Sequence, residues 1–115
     1  MISIICPSRY RINRILIKEK TKVFLEKIGY SEKDNLNLIF IGKNKMRQIS
    51  LKYKKEDVAL PVLSFSYKET YDKEKLLGEI LFCYPQIVLL AAERNKKVDV
   101  IMLQLLEHGL NSLTR

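Results

Sequence analysis

The chain has 115 residues, 47% of them hydrophobic and 30% charged, with three prolines. That balance describes one globular domain and excludes a disordered chain, while no apolar run approaches the roughly 18 residues of a membrane helix. The formal net charge is +8, and all the excess lies in residues 1–58, with 14 Lys and Arg against 6 Asp and Glu; residues 59–115 carry 7 of each.

Ile2–Ile5 is a β-branched run that reads as a strand. The apolar start Met1–Cys6 is too short for the apolar stretch of a signal segment, and basic residues follow it instead of preceding it. Pro7 breaks it, and Ser8 is the predicted cap of a helix over Arg11–Ile28, whose stripe is Ile12, Ile15, Leu16, Val23, Phe24 and Ile28. Gly29 is the expected stop. Leu36–Ile41 reads as a second strand, and Lys43–Lys54 as a helix with Met46, Ile49 and Tyr53 on one side. Val62–Tyr67 is a strand entered from Pro61, Lys68–Lys75 a turn or hairpin loop, and Gly78–Cys83 a strand antiparallel to the previous one. Gln86–Arg94 is helical, and Lys96-Lys97 breaks it. Asp99 is the expected cap of the last helix, on which Ile101, Leu105, His108 and Ser112 share a face by their spacing. That face predicts a largely shielded His108 with a hydrogen-bond partner. The order gives an α/β class: one small domain over 1–115, a mixed four-stranded sheet with helices packed on it.

Chemistry-bearing motifs are few. The chain has no glycine-rich phosphate loop, no Cys-x-x-Cys, no Gly-x-Ser-x-Gly and a single histidine. Cys6 and Cys83 match no metal spacing and read as two buried, reduced thiols of a cytoplasmic protein. Glu79, directly after Gly78 at a strand start, is the one carboxylate placed to face a pocket. The one-sided basic field raises the local concentration of polyanions, and neutralised phosphates release counterions. Nucleic acid is therefore the expected partner class.

Three blocks carry a resemblance. Residues 49–65, Ile-Ser-Leu-Lys-Tyr-Lys-Lys-Glu-Asp-Val-Ala-Leu-Pro-Val-Leu-Ser-Phe, resemble the L-N-x-x-Y-R-x-x-D-x-P-T-D-V-L-S-F segment of the YbeY family of rRNA-maturation endoribonucleases. Tyr53, Asp57, Val62, Leu63, Ser64 and Phe65 match it without a gap. Residues 77–83, Leu-Gly-Glu-Ile-Leu-Phe-Cys, resemble the family's L-G-D-I-x-I-C, and His108-Gly109-Leu110 falls where its H-G-x-L-H-x-x-G-Y-D-H begins. The resemblance implies a small mixed sheet with helices, and zinc held by three signature histidines. It also implies metal-dependent cleavage of single-stranded RNA in 16S rRNA maturation.

The chain departs from that pattern at the ligands. His108 keeps the first position, Ser112 stands at the second, and the third would fall three residues beyond Arg115. Lys54 stands in the arginine position and loses the planar fork. Zinc is accordingly expected to be absent or weakly bound, with His108 as the one remaining ligand position. The leading expectation is a YbeY-like protein that binds single-stranded or ribosomal RNA, its partner being 16S rRNA or the small ribosomal subunit. Arg9, Arg11, Arg14, Arg47, Lys52, Lys54 and Lys55 are the candidate phosphate contacts, with Tyr10 and Tyr53 candidates for stacking. A second expectation is an active endoribonuclease in which His108 is the general base and Lys54 stabilises the pentacovalent phosphate. A third is a non-catalytic, protein-binding scaffold.

Overall fold

A computed structural model describes residues 1–30, 34–67, 70–71 and 74–114. In chain order the elements are β1 (Ile2–Ile5), α1 (Arg14–Lys27), β2 (Asp34–Ile41), α2 (Lys43–Lys54), β3 (Val62–Ser66), β4 (Thr70–Tyr71), β5 (Glu74–Cys83), α3 (Tyr84–Glu93) and α4 (Val98–Leu113). The main sheet runs β1-β2-β5-β3, and the two-residue β4 pairs with β5. β1, β2 and β5 are mutually parallel, and β3 is antiparallel to β5. Parallel neighbours need a crossover, and α1 supplies it between β1 and β2. The expected mixed α/β architecture is present. Part of the expected Lys68–Lys75 turn, at 68–69 and 72–73, lies outside the described residues.

Alternation along the strands divides the sheet into two faces. Leu36, Leu38, Phe40, Ile80 and Phe82 face a large core shared with Ile17 of α1, Ile87 of α3 and Leu106 of α4. The Phe40 and Phe82 rings stack there with centroids 5.0 Å apart. Ile41, Leu63, Leu81 and Cys83 face the other way, toward a smaller core completed by Met46 of α2 and Ala59. Three helices therefore cover one face, and α2 alone covers the other.

Two caps differ from expectation. Asn13, not Ser8, caps α1, because its side chain accepts the Leu16 N–H at 3.1 Å. Lys97, not Asp99, is the N-cap of α4; Asp99 sits within the first turn, where its charge still meets the positive helix end. Gly29 follows α1 with φ of +88°, the left-handed stop its sequence position suggests.

Two helices present other faces than expected: α1 buries Ile17, Thr21 and Leu25, with Ile15, Val23 and Ile28 of the expected stripe exposed, and α4 is rotated. Its buried residues are Ile101, Met102, Leu106, Gly109, Leu110 and Leu113, whereas His108 and Ser112 are exposed. Gly109 explains this. A Cβ there would meet Ile80 Cγ2 at 2.9 Å and Ser64 Oγ at 3.2 Å, so this position must face the sheet closely. The Ser64 hydroxyl donates to the Gly109 carbonyl at 2.9 Å and fixes that contact. His108, one residue earlier, is turned outward, and it makes no side-chain hydrogen bond among the described residues.

Candidate nucleic-acid interface

Because α2 is short and alone, it leaves part of its sheet face open. A groove of about 340 Å³ remains, with Ile39, Ile41, Leu81 and Glu79 as its floor. Lys45, Ile49, Lys52 and Tyr53 of α2 form one wall, and Phe65 and Tyr67 form the other. Helical spacing places Lys45, Ile49 and Lys52 on one side of α2. Strand alternation places Phe65 and Tyr67 on one side of the β3 segment.

The groove is aromatic and basic, with one fixed carboxylate. The Tyr53 ring meets Phe65 edge-on at 5.1 Å and is 57% exposed, open enough for the stacking role its sequence position suggests. Lys52 Nζ lies 5.3 Å from the centre of the Tyr53 ring. Glu79 faces this pocket, as its place after Gly78 suggests. Its Oε1 accepts the Tyr67 hydroxyl at 3.0 Å, and its Oε2 accepts the Asn37 amide at 3.4 Å. Desolvation, then the hydrogen bond to Glu79 and the charges of Glu79 and Tyr53, hold the Tyr67 hydroxyl above its ordinary value. It thus stays a donor to the carboxylate.

All seven basic residues singled out in the sequence are exposed, but they are not equivalent. Arg9 lies over the Tyr10 ring at 4.8 Å and lines a depression with Lys43 and Lys45. Lys45 lines the aromatic groove as well, so it links the two. Arg14 donates to the Ile4 and Cys6 carbonyls at 3.2 and 3.3 Å, fastening the end of β1 to the start of α1. Arg47 grips Asp57 through two bonds of 2.7 and 3.0 Å, which occupies the fork it would offer to a phosphate. Arg11 lines a separate hollow with Asp99. Lys54 and Lys55 close α2, Lys55 in the left-handed region at φ 59°. Tyr10 stacks on Tyr84, with centroids 4.7 Å apart, so that face is already occupied.

His108 and Lys54 belong to helices on opposite faces of the sheet, since α4 packs into the larger core and α2 into the smaller. Lys43, Lys45, Phe65 and Tyr67 also line this groove or the adjoining depression, although none stands out as a candidate contact in the sequence. The signal was present: Lys45 and Lys52 are seven apart on a helix, and Phe65 and Tyr67 are two apart on a strand. Cys83 is buried as expected, and its burial pushes the thiol up; Cys6 is only half-buried.

The sequence model of the family described as Endoribonuclease YbeY matches residues 9–113. The chain belongs to the YbeY family. An Endoribonuclease YbeY of Desulforamulus reducens is 33% identical over 100 residues, 82% of this chain and 65% of that protein. One from a Janthinobacterium strain is 27% identical, again over 100 residues, and covers 87% of this chain and 65% of its own length. The chain thus spans somewhat less than two thirds of these curated relatives. The solution structure of TM1509 from Thermotoga maritima superposes with a TM-score of 0.67 over 96% of this chain and 69% of that one, at 23% identity, and so shares the fold.

Zinc, which the YbeY resemblance implies, needs three or four convergent ligands. Among the described residues no group of three His, Cys, Asp or Glu side chains comes together. The described residues do not fit that metal.

Proposed function

We propose that this YbeY-family chain binds single-stranded or ribosomal RNA and acts in the cytoplasm in rRNA maturation, with 16S rRNA or the small ribosomal subunit as partner. The observation that carries this reading is the groove itself. Exposed aromatic faces between lysines are the arrangement that holds a single strand, with bases stacked at about 1–3 kcal/mol each and phosphates on the basic rim. Lys45, Lys52, Lys54, Lys55, Arg9 and Arg11 are the phosphate contacts. Arg14 and Arg47 add to the field, because their donors are engaged within the protein.

The exposure of His108 favours one further reading. An outward imidazole is accessible to substrate and can serve as a general base. Lys54 belongs to the opposite face of the sheet and takes no part at the phosphate that His108 would act on, so the expected His108–Lys54 pair is replaced by His108 alone. The chain is then an active endoribonuclease with no need of the family's complete metal set.

One set of measurements tests both. Binding of single-stranded RNA is followed at several salt concentrations for the native chain, for Lys52→Glu/Lys54→Glu and for Lys96→Glu/Lys97→Glu. The first variant should lose most of the affinity and about 1.4 of the logarithmic salt slope, as expected for two lost phosphate contacts. The second should change little. Equal losses would overturn the localised interface. Elemental analysis should find well under one zinc per chain. Cleavage that survives a strong chelator and disappears in His108→Ala would establish the catalytic reading, and its absence in the native protein would remove it.

A further inference from the structure

The groove contains one feature that phosphate binding and stacking leave unexplained. Glu79 puts a negative charge on the floor of a pocket rimmed by lysines, and two neighbours fix its orientation. A carboxylate there weakens phosphate binding. Its use must lie with a group that donates hydrogen bonds.

We propose that Glu79 makes this groove a guanine-selective base site, an inference that rests on the RNA-binding reading above. An ionised carboxylate is acceptor-only, with about four lone-pair positions on two oxygens. Tyr67 takes one position on Oε1 and Asn37 one on Oε2, which leaves one on each oxygen for a ligand. Among the RNA bases only guanine presents two adjacent donors, N1–H and the N2 amino group, on its Watson–Crick edge. Uracil offers one N–H, and cytosine and adenine offer an amino group beside an acceptor that a carboxylate repels. Tyr53 and Phe65 supply aromatic surface for the base, and Lys45 and Lys52 lie where the flanking phosphates would run. Tyr67 and Asn37 are positioning residues: they hold the carboxylate before the base arrives, which lowers the ordering cost of recognition.

The test uses the full chain and short uridine oligonucleotides carrying one central guanosine, inosine or adenosine. Inosine keeps N1–H and lacks the amino group. Guanosine should bind about tenfold or more tightly than inosine, the lower part of the range for a bidentate contact, and tighter still than adenosine. Glu79→Gln should abolish the guanosine preference and move it toward adenosine, because an amide pairs a donor with an acceptor. Tyr67→Phe should reduce the guanosine-to-inosine ratio without changing the thermal midpoint by more than a few degrees. Lys52→Glu should weaken all three oligonucleotides by the same factor. Equal affinity of the native chain for the three, still steep in salt, would overturn guanine selection and leave RNA binding intact. Failure to bind any of them would overturn both.

Discussion

Tyr67 and Glu79 form a pair whose behaviour in base can be worked out from their contacts. The folded chain binds the Tyr67 proton more tightly than the unfolded chain does, because the groove desolvates the ring and the carboxylate accepts its hydrogen bond. Its contribution to stability is therefore complete below the ordinary tyrosine value of about 10 and is lost as pH rises through the raised folded value. We expect unfolding midpoints in urea to fall across that alkaline window, and Tyr67→Phe to flatten the fall. Gly78 supplies a different residue-scale test. A Cβ there would collide with the Leu113 side chain and the Phe65 carbonyl. One of those is backbone and cannot yield, so Gly78→Ala should destabilise the protein by about 3 kcal/mol, the upper end of ordinary overpacking. A loss below about 1 kcal/mol, read from denaturant melts, would show that β5 and α4 are not packed this closely.

The helices and strands show what the sequence could and could not reveal. Lys43–Lys54 was legible as a helix to the residue, and Val62–Ser66 was within one residue of the strand read from the pattern. Both have clear breakers and a single apolar face. The orientation of α4 was not legible, because Val98, Val100, Ile101, Met102, Leu103, Leu105, Leu106 and Leu110 leave scarcely a polar side in its first turns. Periodicity then fails to set the rotation. Gly109 sets it through close approach to Ser64 and Ile80, and a glycine carries no weight in a count of apolar residues. The groove was half legible: Tyr53, Lys52 and Glu79 were noticed, but separate elements must fold together before Phe65 and Tyr67 join them. Helix ends offer two further tests. Asn13→Ala removes the acceptor for the Leu16 N–H and should cost about 1 kcal/mol. Lys55→Gly relieves a side chain in the left-handed region at φ 59° and should stabilise by up to about 1 kcal/mol.

On the scale of the whole molecule, the two faces of the sheet serve different ends. Stability resides where α1, α3 and α4 enclose Phe40, Phe82 and Leu106, and the proposed RNA groove lies where α2 leaves the sheet partly bare. Leu106→Ala should cost about 2–5 kcal/mol, as a cavity in a closed core cannot collapse. Leu63→Ala should fall at or below the low end of that range, because its smaller core borders the open groove. A reversed order in urea melts would contradict this division. Strand order also bears on how the chain assembles. Val62 to Ser66 pair with Phe82 to Gly78, strands close together in sequence, whereas Leu36 pairs with Gly78, and Ile2 with Leu36, only across much longer stretches of chain. Local pairings close quickly and distant parallel ones slowly. The antiparallel pair that carries Phe65 and Glu79 is thus the natural nucleus, and the N-terminal strand docks last. Native-state hydrogen exchange should follow the same gradient, with amides of β5 the slowest to exchange and those of β1, at the far edge, opening first.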